Sequence, residues 1–166
     1  MKSPADIFLR KVHSKNTDAA TGVTREIWTQ AGQYHREDGP AYIEHDRNGV
    51  VLYESWYRHG DRHREGAPAF LLRDATTGVV TTEGWYANGV LHRTDGGPAA
   101  IVRDPNGTTT YQAWAEAGQF HRKDAPAKIL TRSDGELLSE QWFTRGHLDK
   151  VTNSPSKPPA INGPAP

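Results

Sequence analysis

Four His-Arg pairs recur along the chain at intervals of 28 or 29 residues. A neutral imidazole is a metal ligand and can act as a general base near neutral pH. A guanidinium pairs with carboxylates and phosphates and stacks on aromatic rings. These pairs are therefore the first candidates for chemistry, and they are His35-Arg36, His63-Arg64, His92-Arg93 and His121-Arg122.

Hairpin repeats would hold these histidines too far apart to share a metal ion. Equivalent residues of adjacent two-stranded units lie two strand spacings apart, about 9.5 Å. Zinc ligands lie within about 2.1 Å of the ion, so two ligands are only a few ångströms apart. His59 and His63 are closer in the sequence, but they flank a predicted turn. The sequence therefore predicts no metal site and no cofactor, and each histidine is expected to hydrogen-bond or stack.

Catalytic residues do not stand out either. Cysteine is absent, so no thiolate is available as a nucleophile. The serines lack the context of a nucleophile elbow, and there is no phosphate-binding glycine loop. Catalytic residues normally occur once, whereas every notable polar group here recurs. We therefore expect no enzyme, with an acid–base pair of carboxylates across the sheet as the alternative.

The spacing of the His-Arg pairs belongs to a larger repeat. Each tryptophan opens a copy of one phrase, which first reads W-T-Q-A-G-Q-Y-H-R-E-D-G-P-A and is decayed in the last copy. Self-similarity at this period indicates one supersecondary unit stacked on itself and stabilised by contacts between neighbours. The tryptophans are Trp28, Trp56, Trp85, Trp114 and Trp142.

Each unit has the pattern of a β-hairpin. Residues 40–45 alternate, a turn follows at 46–49, and a second alternating segment leads to the next tryptophan. The predicted fold is all-β: an antiparallel β-hairpin repeat array of about ten strands that forms a meander or solenoid sheet. A small and then an aliphatic residue after each proline mark the buried face, and these pairs are Ala41 and Ile43, Ala69 and Leu71, Ala99 and Ile101, and Ala127 and Ile129.

A polar residue stands two positions before each tryptophan, on the same face of the strand. Because buried polar groups need partners, we expect the glutamates at this position to pair with the arginines of the His-Arg pairs. Such pairs would link the units of the stack. The residues are Glu26, Glu54, Glu83, Gln112 and Glu140.

Three segments are predicted from these patterns. Residues 1–23 form an N-terminal capping hairpin, in which a strand at 7–10 leads through a long loop at 15–22 to the strand at 24–27. Residues 24–150 hold about 4.5 repeats, and residues 151–166 form a proline-rich disordered tail. The tail contains Pro155-x-x-Pro158, which matches an SH3-type ligand formally but is expected by chance in such a segment.

The phrase Trp-x-x-x-Gly-x-x-His, seen at 85–92, resembles the MORN repeat, which has an aromatic residue, a glycine and a histidine at these offsets. The run H-R-E-D-G-P-A at 35–41 is similar, letter for letter, to a variant MORN-like repeat of bacterial, phage and giant-virus proteins. Classical units read His-Gly where this chain reads His-Arg, so the membrane association proposed for them is not carried over. Some bacterial relatives of the variant class are labelled antitoxin-like, and the resemblance implies that expectation here.

Composition limits the classes of partner and the compartment. Twenty Lys and Arg balance twenty Asp and Glu, so the formal net charge is zero and non-specific nucleic-acid binding is disfavoured. The absence of cysteine is typical of a reducing compartment. No signal-peptide pattern and no transmembrane segment are found, and a cytoplasmic protein is expected.

An extended sheet with arginine and aromatic side chains at regular intervals predicts a protein-binding surface, because Tyr, Trp and Arg dominate binding energy at interfaces. We expect a non-enzymatic module that occupies another protein's surface, as an inhibitor, an antitoxin or a phage-encoded antagonist. The alternative is a nucleic-acid or anionic-lipid binder that uses the arginines. Pairing through an open sheet edge would give a homodimer.

The contact residues are predicted from the exposed aromatic positions and the recurring arginines. The alternative for the aromatics is lateral packing between strands. The predicted partner-binding set is Tyr34, Tyr57, Tyr86, Phe120 and Phe143, together with Arg36, Arg64, Arg93 and Arg122.

Overall fold

The structure is a computed structural model that describes residues 11–154. Every regular element in that range is a β-strand, and the eighteen antiparallel strands confirm the predicted all-β hairpin array. The strands are β1 (Lys11–Thr17), β2 (Thr24–Gln30), β3 (Gln33–Tyr34), β4 (Tyr42–His45), β5 (Val51–Ser55), β6 (Tyr57–Arg58), β7 (Asp61–Arg62), β8 (Phe70–Arg73), β9 (Val80–Gly84), β10 (Tyr86–Ala87), β11 (Val90–Leu91), β12 (Ala100–Arg103), β13 (Thr109–Ala113), β14 (Ala115–Glu116), β15 (Gln119–Phe120), β16 (Lys128–Thr131), β17 (Leu137–Thr144) and β18 (His147–Asn153).

One open sheet contains most of the strands. Its order is β1-β2-β4-β5-β8-β9-β12-β13-β16-β17-β18, with β3 paired to β2. The order follows the chain, so the sheet is a meander in which each strand pairs with the one before and the one after it. Three two-stranded sheets stand beside it, namely β6-β7, β10-β11 and β14-β15.

The structure has more strands than the predicted ten because a short hairpin follows each inner tryptophan. Strand β5 ends at Ser55 and β6 begins at Tyr57, with only Trp56 between them. The short hairpin turns at His59-Gly60, where both residues have positive φ, as a type I′ turn requires. The same pair of positive φ angles recurs at Ala31-Gly32, Asn88-Gly89, Ala117-Gly118 and Arg145-Gly146.

Backbone hydrogen bonds join the short hairpin of each unit to the next. The Gly60 N–H donates to the Tyr34 carbonyl at 2.9 Å, and the Arg36 N–H donates to the Tyr57 carbonyl at 3.3 Å. Neighbouring units therefore stack through contacts that repeat. One unit later the same bonds run from Gly89 to Arg62 and from Arg64 to Tyr86.

Strand register places side chains in rows across the sheet, because directly opposed residues of antiparallel strands share a face. One face carries the tryptophans, and we call it the tryptophan face. The alanines that follow each proline on this face are completely buried, as predicted, but among the aliphatic residues two positions later only Ile101 is buried. The central row of this face is Glu26, Ile43, Glu54, Leu71, Glu83, Ile101, Gln112, Ile129 and Glu140.

The opposite face carries most of the tyrosines, and we call it the tyrosine face. Two rows of the long strands define it, together with the side chains of the short hairpins that contact them. The first row is Ile27, Tyr42, Ser55, Phe70, Gly84, Ala100, Ala113, Lys128 and Gln141, and the second is Arg25, Glu44, Tyr53, Leu72, Thr82, Val102, Tyr111, Leu130 and Ser139.

The two ends of the array differ from the sequence prediction in detail. The first hairpin pairs β1 with β2 around a loop at 18–23, while the predicted strand at 7–10 lies outside the described residues. The last strand, β18, pairs with β17 as far as Asn153, so the repeat array extends three residues beyond the predicted boundary at 150. Val151–Asn153 are therefore not part of a disordered tail, and residues 155–166 lie outside the described residues.

The long hairpins turn around aspartate side chains that accept backbone hydrogen bonds. The Asp74 carboxylate accepts from the Thr77 and Thr76 N–H groups at 2.8 and 3.0 Å and from the Thr77 hydroxyl. These bonds, the Thr77 N–H first, lower the pKa of Asp74 below its ordinary value.

We expect the charged Asp74 to stabilise the fold only where it is ionised. Its pKa is lower in the folded than in the unfolded chain, so its contribution is complete above about pH 4 and is lost as the pH falls through the folded value. The free energy of unfolding of Asp74→Asn should thus lie below that of the native chain at pH 7 and converge with it near pH 2. Urea titrations across this range, with Asp61→Asn as the exposed control, measure the difference; parallel curves at every pH would contradict it.

Candidate functional site

The arginine of each His-Arg pair stacks on the tryptophan of its own unit. The guanidinium carbon lies 3.7 to 4.0 Å from the ring centroid in all four copies, and each Nη1 also donates to the carbonyl of the following proline at 3.0 to 3.4 Å. The tryptophan, arginine and proline of a unit thus form one stack. The stacks are Trp28-Arg36-Pro40, Trp56-Arg64-Pro68, Trp85-Arg93-Pro98 and Trp114-Arg122-Pro126.

The expected pairing of the glutamate row with these arginines is wrong. Glu54 pairs with Arg73 and Glu83 with Arg103, each at 2.6 Å, because those arginines lie on the neighbouring strand of the same face. Arg36 and Arg93 pair instead with the aspartate two residues later in their own turn. The glutamates link strands of the long hairpins, whereas the stacked arginines hold the loop between units.

The recurring histidines connect successive units. Nδ1 of each of the first three accepts a hydrogen bond from the backbone N–H of the first turn residue in the next short hairpin. That residue has positive φ in every copy, so the histidine supports a backbone conformation that costs free energy. Fourth in the series, His121 has a buried Nδ1 without a partner among the described residues. The bonds join His35 to His59, His63 to Asn88, and His92 to Ala117 at 3.0 to 3.2 Å.

Open clefts separate the Trp-Arg stacks on the tryptophan face. One cleft, of about 610 Å³, lies between the stack of Trp56 and that of the preceding unit and is lined by His35, Arg36 and His63. His59, predicted to flank a turn, stacks on His35 with ring centroids 4.4 Å apart. Within residues 11–154, no group of three or more histidines and carboxylates could hold a metal ion.

A cluster of six aromatic rings occupies one half of the tyrosine face. Tyr34 contacts Tyr57 at 5.0 Å and Tyr42 at 6.1 Å between ring centroids. Two rings of the long strands continue the cluster, and the next short hairpin closes it. The further contacts are Tyr42–Tyr53 at 5.7 Å, Tyr53–Phe70 at 6.2 Å and Phe70–Tyr86 at 6.0 Å.

Arg62 lies in the middle of this cluster. Its Nε donates to the Ser55 hydroxyl at 3.2 Å, and Nη2 donates to the Tyr53 hydroxyl at 2.7 Å. The guanidinium carbon is 5.0 Å from the Phe70 ring centroid and 5.8 and 5.7 Å from those of Tyr57 and Tyr86. The rings therefore surround a cation that belongs to the chain itself.

A second cluster of the same kind lies on the other half of the tyrosine face. Phe120 and Phe143 contact each other at 5.5 Å, and the Lys128 ammonium lies 3.7 and 4.8 Å from their ring centroids. Burial beside these rings lowers the pKa of Lys128. Apolar side chains of the second row flank both clusters, and Leu72 and Leu130 are 41% and 43% exposed.

Glu44, the carboxylate of the two rows on the tyrosine face, already accepts hydrogen bonds from residues of the protein itself. Glu44 Oε1 accepts from the Tyr42 hydroxyl at 2.6 Å and from Arg25 Nε at 2.7 Å. Burial, and after it the bond to Glu44, raises the pKa of Tyr42 to about 12, so the phenol remains a donor. The hydrogen bond from Tyr42 and then the one from Arg25 lower the pKa of Glu44 against the opposing effect of burial.

The structure brings all five predicted aromatic residues to one face, in two groups. Tyr34, Tyr57 and Tyr86 belong to the first cluster, and Phe120 and Phe143 form the second. The rings pack laterally against one another, as the alternative for these residues predicts, and they also border exposed surface. The four predicted arginines lie elsewhere, on the tryptophan face. The variation between units of Tyr42, Phe70, Ala100 and Lys128 predicts a row that faces solvent or a partner, and three of these residues belong to the clusters. Sequence reasoning missed Arg62 and Tyr53.

No protein-family model matches the chain, and no curated protein is similar to it in sequence. The similarity to MORN-like repeats therefore stays a prediction that rests on the residues quoted for it. The part of the chain that the structure describes contains no helix long and apolar enough to cross a bilayer.

Proposed function

We propose that this protein is a non-enzymatic binding module that docks its tyrosine face on another protein. The observation that carries the proposal is the pair of aromatic clusters, each built around a cation and flanked by exposed leucines. Aromatic residues and arginine are the residue types that contribute most of the energy at protein interfaces. By occupying a partner's surface, the array would act as an inhibitor, an antitoxin or a phage-encoded antagonist. We place it in the cytoplasm, because a chain without cysteine suits a reducing compartment.

The stacked arginines favour this proposal over nucleic-acid or anionic-lipid binding. Their guanidinium groups already lie against tryptophan rings and donate to proline carbonyls. A phosphate would have to compete with these contacts, and the net charge of zero supplies no long-range attraction.

A photoreactive amino acid placed on each face tests the proposal. We expect a cross-link to one host protein from position 72 on the tyrosine face and none from Glu65, an exposed control beside the stacked Arg64. An excess of the native protein should abolish the cross-link. Tyr57→Ala should compete roughly thirtyfold less well, the effect of a binding hot spot, while Tyr57→Phe keeps the ring and competes normally.

Three outcomes would contradict the proposal. They are cross-links from position 65 but not from 72, equal competition by folded Tyr57→Ala, and recovery of nucleic acid in place of protein. Raising the salt concentration distinguishes nucleic-acid binding from protein binding, because the binding of phosphates weakens steeply with salt. Circular dichroism on each variant confirms that the competitor is folded.

A further inference from the structure

The two rows of the tyrosine face carry an imbalance of charge. Their charged residues are Arg25, Glu44 and Lys128, and the short hairpins add Arg62 to the same face. Glu44 and Arg25 form a salt bridge at 2.7 Å and cancel each other. Arg62 and Lys128 form no salt bridge within residues 11–154. The face therefore presents two positive charges without a counter-charge.

Two arginines of the long hairpins show how a paired arginine is held in this protein. Arg73 and Arg103, on the tryptophan face, each hold a glutamate of the neighbouring strand at 2.6 Å. On the tyrosine face, Arg62 is held only by hydroxyl groups and aromatic rings: Nε and Nη2 donate to Ser55 and Tyr53, and the Tyr57 hydroxyl lies close by. A carboxylate that binds the guanidinium would complete the pairing that those two arginines already have.

Lys128 is the counterpart of Arg62 at the other end of the face. Its ammonium lies against two phenylalanine rings and makes no hydrogen bond to a residue that the structure describes. The ammonium carries three donors and is partly removed from water, so an approaching anion meets a cation that has lost part of its hydration.

The positions of Arg62 and Lys128 set the spacing that two carboxylates of a partner must have. Arg62 contacts Phe70 on β8, and Lys128 lies on β16, which is four strands further along the sheet order. Four strand spacings correspond to about 19 Å, or about six residues of an extended chain. Between the cations the face presents mostly apolar or aromatic side chains, among them Ala100, Val102 and Tyr111, with Thr82 beside them.

We propose that the tyrosine face receives an acidic segment of its partner protein, whose carboxylates pair with Arg62 and Lys128 and whose apolar residues lie between them. The inference rests on the proposed protein-binding function and names the chemistry of the partner. A basic partner fits less well, because it would meet two cations and a glutamate that is already paired. A nucleic acid fits less well too, since its phosphates follow one another at about 7 Å or less, whereas the face offers two widely spaced cations.

Synthetic peptides test the pairing directly by fluorescence anisotropy. The probe is an extended peptide of about twelve residues with two glutamates about six residues apart and leucine and tyrosine between them. Matched peptides carry glutamine or lysine at the two acidic positions. We expect the acidic peptide to bind at least tenfold more tightly than the glutamine peptide, and the lysine peptide to bind more weakly still.

Variants of the protein locate the contacts. Arg62→Gln and Lys128→Gln should each weaken binding of the acidic peptide roughly tenfold, while Arg62→Lys and Lys128→Arg keep the charge and most of the affinity. Lys123→Gln removes an exposed cation outside the two rows and serves as the matched control. If Arg62→Gln fails to fold, the Lys128 variants still decide whether charge on this face binds the peptide.

Several results would overturn the inference. They are equal binding of the acidic and glutamine peptides, preference for the lysine peptide, unchanged affinity in Lys128→Gln, absence of peptide binding, and tighter binding of a single-stranded oligonucleotide. The cross-link from position 72 distinguishes failure of this inference from failure of the binding function. A cross-link that survives in Lys128→Gln would leave a protein-binding face whose partner is not acidic.

Discussion

Replacement of Trp114 by alanine is expected to lower the free energy of unfolding by about 3–5 kcal/mol. Trp114 is 8% exposed, and its Nε1 donates to the Gly96 carbonyl at 3.0 Å. Its ring also supports Arg122, which in turn holds the Pro126 carbonyl. Loss of the ring removes buried area, the hydrogen bond and the surface beneath the arginine together. Because a domain is stabilised by only about 5–15 kcal/mol, the variant should be close to unfolding.

Trp142 is the matched control, because it occupies the same position in the last unit. Its ring lies 4.6 Å from the Lys150 ammonium beside β18, the final strand of the sheet order. We expect Trp142→Ala to lower the free energy of unfolding by less than half as much, because Trp142 is less buried than Trp114. Urea unfolding followed by circular dichroism compares the two, and equal losses would show that the stack is not the source of the effect.

Substitution of Gly84 is expected to disrupt the aromatic cluster from beneath. A Cβ at this position would lie 2.3 Å from Cε1 of Phe70 and 2.9 Å from Cε2 of Tyr86, and both contacts are too short for real atoms. Gly84 is buried and both rings lie over it, so at least one ring must move. We expect Gly84→Ala to lower the free energy of unfolding by about 1–3 kcal/mol and to weaken partner binding through the displaced rings.

A double variant identifies the cause of that loss. In Phe70→Ala the ring that meets the new methyl group is gone, so Gly84→Ala should cost much less in that background. Thermal unfolding of the four proteins gives the coupling between the two sites, which we expect to exceed about 0.5 kcal/mol. Additive effects would mean that the alanine acts through Tyr86 or the backbone rather than through Phe70.

The repeat architecture was predictable because it follows from spacing and alternation. The five tryptophans set the period, and the prolines with their alanines set the register of the long hairpins, which the structure confirms. The short hairpins were not predicted, since each is only two residues per strand and four of their five turns begin with a residue other than Asn or Gly. Positive φ at Ala31 or Ala117 cannot be recognised from an alanine, which rarely adopts it, and at Ala117 the support comes from His92 of the preceding unit.

The candidate site was predictable only in part, for a physical reason. Recurring residues are conspicuous in a sequence, so the arginines of the His-Arg pairs were predicted to bind a partner. In the structure the His-Arg pairs hold the repeat units together. The aromatic clusters arise from positions that differ between units, such as Tyr42, Phe70, Ala100 and Lys128 on one row. A side chain that varies while its neighbours repeat is free of the structural requirement, and this contrast predicts that the row of Lys128 faces solvent or a partner. The contact of Lys128 with the rings of the short hairpins was not predictable, because the short hairpins themselves were not.

The histidine bonds give the array a polarity. From the second to the fourth short hairpin, the strained first turn residue receives its acceptor from the preceding unit and never from the following one. Removing units from the carboxyl end leaves each of these turns with the imidazole that completes it. Removing them from the amino end exposes a turn whose support has gone, so growth of such a chain by duplication is easier in one direction than in the other.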